Sequence, residues 1–187
     1  MDFSKNLKDA LKKAAKIINE GGVVVFPTDT VYGFLADATN RKVFNKIFKI
    51  KKRSRSKPLP VFVKDIKMAK QLAEISFEQE KILKKYWPGR YTFVLKQRMP
   101  NSDEFKTIAL RIPKYKPLNS LLKKINKPLA QTSVNISGNP SMTKIREIRK
   151  VFGDNAGVGF IFDGGNLLKR KPSVIMDLTG KRLTRLR

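Results

Sequence analysis

The chain has neither cysteine nor histidine among its 187 residues. That excludes disulfides, zinc ribbons, Cys or His nucleophiles and any Ser-His-Asp triad. A general base would have to be Asp, Glu, Lys, Tyr or the substrate itself. Acids are scarce, with 15 Asp and Glu against 41 Lys and Arg. A dedicated carboxylate cage for two metals is therefore not expected. No apolar run approaches the roughly 18 residues of a membrane span, and the N-terminus lacks a signal-peptide core. The missing cysteine suits a reducing compartment. A cytoplasmic protein with no membrane partner is expected. There is no Walker-type P-loop, and Gly157-Val158-Gly159 is too short for a dinucleotide fingerprint.

What is present describes a globular chain. Hydrophobic residues make up 41% and charged residues 30%. The length suits one domain, and no composition break divides it, so residues 1–187 are expected to fold together. The net charge of +26 says nothing about fold but draws the molecule to nucleic acid or phosphorylated ligands.

Strand and helix signals alternate. Ser4 can cap a helix carrying Leu7, Leu11, Ala14 and Ile18, ended by Gly21-Gly22. Residues 23–26 read as a buried strand, followed by a loop over 27–33. Asn40 can cap a second helix with Val43, Phe44, Ile47 and Phe48. Residues 59–63 read as a strand, and Asp65 caps a short helix. Ser76 and Gln79 have capping-box spacing, and Trp87-Pro88-Gly89 ends the helix they open. Strands over 91–96 and 107–112 flank a polar loop over 98–106. Pro117 opens a helix, and residues 128–134 form a strand. Thr143 can cap a helix to Phe152. Strands follow over 158–162, 173–178 and 182–186, the last two joined by a tight turn at Thr179-Gly180. This pattern predicts an α/β fold with a mixed sheet.

Four segments at strand ends concentrate hydroxyls, amides, glycine or cations, where α/β sheets bind ligands. In Pro27-Thr28-Asp29-Thr30-Val31-Tyr32-Gly33, hydroxyls can bind a polar ligand, or Asp29 can simply close a turn. Residues 49–57 hold Lys51, Arg53 and further cations, fitting either a triphosphate or a solvated basic face. In Thr132-Ser133-Val134-Asn135-Ile136-Ser137-Gly138, Ser133 and Asn135 project to one side. They suit phosphate, ribose or an amino-acid head group, or ordinary turn chemistry. Pro172-Ser173 precedes a strand and is uninformative alone.

In this order and spacing, PTDTVYG, K-x-R followed by PL, TSVNISG, and PS before a strand resemble the YrdC-like family of threonylcarbamoyl-AMP synthases. WPG followed by TFVL at 87–95 and IALRIP at 108–113 also match. The resemblance implies a single-domain, twisted open mixed sheet with flanking helices and a concave basic cavity. It implies a nucleotidyltransferase joining L-threonine, bicarbonate and ATP into threonylcarbamoyl-AMP and pyrophosphate. The product would serve modification of adenosine 37 in tRNA through a downstream transfer complex. Mg²⁺ would arrive with ATP. Thr28, Arg111 and Ser173 would hold threonine. Lys51, Arg53, Thr107, Ser133, Asn135, Thr143 and Arg187 would hold ATP, with Lys51 and Arg53 offsetting charge on the reacting phosphates.

Two positions depart from the family pattern. Phe62 stands where longer members carry a histidine on the threonine side, and Ser54 replaces the usual proline after K-x-R. The charge excess also motivates a second reading, a non-enzymatic double-stranded RNA or ribosome-assembly binder on the same fold. Cations converging with Thr28 and Ser133 favour the enzyme, whereas a flat stripe favours RNA. A carbamoyl-transfer domain like that of hydrogenase maturation factors belongs to much longer chains.

Overall fold

The computed structural model describes residues 3–54, 58–98, 106–153, 157–180 and 182–187. Arg55, Ser56 and Lys57 of the basic segment, and most of the polar loop expected over 98–106, lie outside the described residues. So do the side chains of Ser4, the expected first cap, and Phe44.

Local signals account for most helix ends. Helix α1 (Phe3–Asn19) stops before Gly21, whose φ of +76° only glycine adopts without strain. Asn40 caps α2 (Arg41–Lys51) by accepting from Lys42 N, and Asp65 caps α3 (Ile66–Leu72) by accepting from Met68 N. Ser76 and Gln79 form a reciprocal capping box on α4 (Phe77–Tyr86), which ends at Trp87. Pro117 lies in the first turn of α5 (Lys116–Ile125).

One expected cap is corrected. Lys144, not Thr143, holds the cap position of α6 (Ile145–Phe152), and no side chain of that residue caps the helix. The side chain of Asn166 accepts from Ile145 N instead, at 3.2 Å. Thr143 is one residue too early, and its carbonyl accepts from Leu167 N.

The strands are β1 (Val23–Pro27), β2 (Tyr32–Asp37), β3 (Val61–Phe62), β4 (Tyr91–Lys96), β5 (Thr107–Arg111), β6 (Leu129–Ser133), β7 (Val158–Ile161), β8 (Val174–Asp177) and β9 (Thr184–Arg185). They form one mixed nine-stranded sheet in the order β7-β1-β2-β6-β3-β5-β4-β8-β9. Two strand expectations change. The loop expected over 27–33 ends early, because Tyr32 and Gly33 begin β2, a strand the sequence pattern did not announce. Its residues are buried on both faces, so no period-two alternation marks it. The tight turn expected at Thr179-Gly180 is a longer connection, since Asp177 pairs with Thr184.

Alternation along β1 assigns the two faces of the sheet. Val23 and Val25 join a core with α2 and α6, while Val24 and Phe26 join a core with α1 and α5. The second half of the sheet is covered on one face only. There Phe93, Leu95 and Leu110 pack against α3 and α4. The opposite face carries Thr92, Val94, Thr107, Ala109 and Arg111 and, among the described residues, has no helix over it. That bare face is the floor of the site.

A second feature positions the site. Twelve residues, 162–173, link β7 at one edge to β8 beside the other. Seven inter-strand spacings amount to roughly 34 Å along a flat sheet, against a reach of about 43–47 Å for a fully extended link. The segment is thus a strap with little slack. It is pinned early. Gly164 N donates to the Tyr32 hydroxyl at 3.0 Å, and that hydroxyl donates to Gly165 O at 2.7 Å. A Cβ on Gly164 would lie 2.9 Å from Cγ of Pro27, closer than the ring can accommodate without a shift. Gly164→Ala should therefore lower stability by about 1–3 kcal/mol, read as a drop in thermal midpoint. An unchanged midpoint would show that the strap does not need this close approach.

Candidate functional site

The turn between β1 and β2 is closed by Thr28 rather than by Asp29. The Thr28 hydroxyl donates to Val31 O at 2.7 Å, accepts from Thr30 N at 3.1 Å and lies 2.9 Å from the Thr30 hydroxyl. The turn is thus shaped before any ligand arrives, and Asp29 is left for a longer reach. Its Oδ1 meets Arg111 Nη2 at 2.6 Å, and its Oδ2 accepts from Lys114 N at 3.1 Å.

Arg111 projects from the bare face of β5 and is only 3% exposed. Its Nε donates to Gly89 O at 2.9 Å. Its guanidinium lies 5.6 Å from the centre of the Phe62 ring, the neighbouring residue on β3. Burial lowers the Arg111 pKa, and the Asp29 charge opposes that shift. Where the resemblance implied a histidine near threonine, this chain places an aromatic platform beneath the buried arginine.

A cleft of about 250 Å³ opens beside this pair, lined by Thr28, Asp29, Thr30, Lys114, Tyr115 and three strap residues, Leu167, Leu168 and Arg170. Farther along the bare face, the Ser173 and Thr92 hydroxyls are 2.9 Å apart. Arg187 Nη2 donates to Ser173 O at 3.3 Å, so the final residue does reach this edge of the site.

The second group lies where β6 ends and α2 ends. Lys51 is 2% exposed. Its ammonium donates to Ser133 O at 2.6 Å, Asn135 Oδ1 at 2.7 Å and Asn135 O at 3.1 Å. The Ser133 hydroxyl also donates to Asn135 Oδ1 at 2.7 Å. The Asn135 amide donates to Ile136 O and Asn139 O. Arg53 Nη1 reaches Thr132 Oγ1 at 3.4 Å and Arg53 Nη2 reaches Pro58 O at 3.3 Å. Lys51 thus ties the end of α2 to the S-x-N-x-S-G loop. Burial first, then the Arg53 charge, lower its pKa to about 8.

The two groups adjoin at Gly33, which pairs with Ser133 across β2 and β6. A Cβ built on Gly33 would lie 3.5 Å from both the Thr28 methyl and Thr132 O. The structure therefore brings Thr28, Arg111, Ser173 and Arg187 to the bare face, and Lys51, Arg53, Ser133 and Asn135 to its neighbouring strand ends. Thr107 shares the face of Arg111 four residues away but bonds none of them. The Thr143 carbonyl joins the strap by accepting from Leu167 N. Asp29, Lys114 and Arg170 were not foreseen as site residues. The Asp of PTDT was legible as a turn former, whereas nothing local distinguishes Arg170 from its basic neighbours.

The chain is similar to known proteins along most of its length. The Sua5/YciO/YrdC family model, described as telomere recombination, matches residues 16–187. The threonylcarbamoyl-AMP synthase of Pyrococcus abyssi is 34% identical over 174 residues, covering 90% of this chain and 51% of that protein. The putative threonylcarbamoyl-AMP synthase of Methanocaldococcus jannaschii is 34% identical over 182 residues, covering 96% of this chain and 86% of that protein. Among solved structures, Pyrococcus abyssi Sua5 complexed with L-threonine superposes with a TM-score of 0.86 at 33% identity, over 95% of this chain and 53% of that one. The chain thus spans about half the length of the Pyrococcus relative. The family model covers most of the chain and the Methanocaldococcus relative is a third identical along nearly its whole length, so the chain belongs to the Sua5/YciO/YrdC family.

Proposed function

We propose that the chain is an L-threonylcarbamoyladenylate synthase acting in the cytoplasm. It joins L-threonine, bicarbonate and ATP into threonylcarbamoyl-AMP and pyrophosphate. The product is passed to a complex that modifies adenosine 37 of tRNA. The observation carrying this reading is convergence. The cleft at Thr28 and Asp29, backed by Arg111, and the Lys51–Asn135–Ser133–Arg53 group lie on either side of Gly33, which supports a reading of amino-acid and phosphate chemistry side by side.

In this reading Thr28, Arg111 and Ser173 border the threonine, while Lys51, Arg53, Ser133, Asn135, Thr107, Thr143 and Arg187 border the nucleotide. The threonine amine adds to CO₂ derived from bicarbonate and loses a proton, giving a carbamate. A carbamate oxygen then attacks the α-phosphorus as its bond to the bridging oxygen breaks, and pyrophosphate leaves. Such a transfer depends on positioning and fixed positive charge more than on a titrating side chain. Lys51 acts chiefly by holding Ser133 and Asn135, and Arg53 is the more accessible cation. Hydroxyls, amides and cations suit phosphates better than a resident metal, so Mg²⁺ belongs with the incoming ATP.

A second reading is nucleic-acid binding. Helices α2 and α6 pack into one core, and their outer faces expose Arg41, Lys42, Lys46, Lys49, Arg146 and Lys150. These exposed cations suit the phosphates of tRNA or double-stranded RNA and are compatible with the enzyme.

Purified protein given L-threonine, bicarbonate and Mg·ATP should release pyrophosphate, and omitting threonine should stop it. RNA binding without threonine-dependent release would favour the second reading. Arg53→Ala should lower turnover at least roughly tenfold, the scale of a lost transition-state charge contact. Lys51→Ala should do the same and also destabilise the fold by about 1–3 kcal/mol, because Asn135 and Ser133 lose their buried donor. Normal turnover in both variants would remove this group from the site.

The depressed Lys51 pKa sets a pH dependence. ATP phosphates favour the charged ammonium, so binding above pH about 8 requires proton uptake. Apparent ATP affinity should be constant below that pH and fall as pH rises through it. A calorimetric profile that stays flat to pH 9.5 would uncouple Lys51 from the nucleotide.

A further inference from the structure

Tyr32 lies in the PTDTVYG segment, yet the reaction as derived gives it no task. Its position is a junction. The side chain is fully buried, in the core that holds Val23, Val25 and Phe34. Its main-chain carbonyl accepts from Val134 N at 2.9 Å, between Ser133 and Asn135. Its hydroxyl accepts from Gly164 N at 3.0 Å and donates to Gly165 O at 2.7 Å. In sequence it follows the turn that the Thr28 hydroxyl closes onto Val31 O. One residue thus joins the β1–β2 turn, the S-x-N-x-S-G loop and the strap.

The strap depends on that clasp. Of its other early contacts, the pair between Asp163 and Arg149 is exposed on both sides and holds weakly, and Leu167 N donates to Thr143 O. Beyond Leu167, among the described residues, 168–172 make no backbone hydrogen bond until Ser173 meets Thr92 at the far end. Over this stretch Leu167, Leu168 and Arg170 form one wall of the cleft. A span with little slack passes a shift at one end along its length. Gly164 and Gly165 are themselves exposed, so water takes over their N–H and C=O if the hydroxyl is lost. Losing the clasp therefore frees the strap and leaves the core intact.

We propose that Tyr32 is a positioning residue for amino-acid binding, its hydroxyl fixing the line along which the strap crosses the cleft. This assignment rests on the functional reading above. Tyr32 touches no substrate and acts through the cleft wall that it holds in place. Burial pushes the hydroxyl pKa up to about 12, so the proton given to Gly165 O stays in place throughout the physiological range.

The test uses Tyr32→Phe, which keeps the ring in the core and removes the clasp. Threonine-dependent pyrophosphate release gives kcat and KM, and hydrogen exchange read by mass spectrometry follows amides 164–172 with and without L-threonine. In wild-type protein, threonine should slow exchange over 164–172. In Y32F, exchange of the free protein should quicken there and not elsewhere. Its KM for threonine should rise about fivefold or more, the worth of one net hydrogen bond, with kcat and KM for ATP within about twofold of wild type. Arg149→Gln removes the exposed ion pair at the same end of the strap and should change KM less than about twofold. Wild-type exchange over 164–172 that ignores threonine would overturn the assignment without recourse to any variant. So would a fall in kcat at unchanged KM, exchange that quickens along the whole chain, or an equal KM change in R149Q. Wild-type protein that shows no threonine-dependent release would overturn the functional reading with it, whereas normal wild-type release and an unchanged KM in Y32F overturn the assignment alone.

Discussion

The ion pair between Asp29 and Arg111 is the constraint on which the site depends. Both side chains are buried, and their atoms meet at 2.6 Å. Charges taken out of water carry a desolvation penalty that attraction offsets only when the remaining donors and acceptors are also satisfied. Here Gly89 O, Lys114 N and the Phe62 ring supply further partners to the two groups. The pair joins the β1–β2 turn in one half of the sheet to β5 in the other. Removing either partner leaves a buried charge uncompensated, at a cost of about 3–5 kcal/mol. It also explains the division of labour in Pro27-Thr28-Asp29-Thr30. Thr28 closes the turn through its hydroxyl, so the carboxylate one residue later is available across the sheet.

Features resting on neighbours in sequence were legible in the sequence. Asn40, Asp65 and the Ser76–Gln79 box bond donors two or three residues away, so spacing alone identifies them. Trp87-Pro88-Gly89 likewise ends α4 by local chemistry. Features settled by distant partners were not. The β2 strand hides because both its faces are covered, by α2 and α6 on one side and by α1 and α5 on the other, so no alternation marks it. The α6 cap moved from Thr143 because Asn166, 21 residues beyond Ile145, supplies the acceptor for Ile145 N. The site divides along the same line. Motif order located Lys51, Arg53, Ser133 and Asn135, but not that Lys51 would be buried beneath three oxygens. Arg170 was hidden by abundance, since a chain with 41 basic residues gives no local reason to single one out.

The charge excess resolves into different physical classes. Arg111 and Lys51 are buried and fixed, and each is engaged by protein oxygens. They shape the site and lend it a positive potential. Exposed cations on α2 and α6 keep their water and act at longer range, where salt screens them within about 10 Å. Arg170 is intermediate, reaching from an exposed span to a carbonyl inside the cleft. Net charge alone could not separate these classes, because it counts a desolvated ammonium and a hydrated one alike.

The absence of histidine and cysteine then acquires a structural counterpart. A titrating catalyst works by changing its protonation near neutral pH, and the groups around this cleft are arranged to avoid that. Arg53 and Arg111 stay charged throughout the physiological range, and Lys51 retains its proton at pH 7 despite a pKa lowered to about 8. The neighbouring hydroxyls and amides are locked by their own hydrogen bonds. A site of fixed donors and cations stabilises charge developing on a transferring phosphorus without reorganising at the moment of reaction. In the proposed reaction, the proton released on forming the carbamate needs no side-chain acceptor, because solvent or the carbonate species itself can take it. Rigid polarity, assembled around one buried ion pair, replaces the titrating side chain.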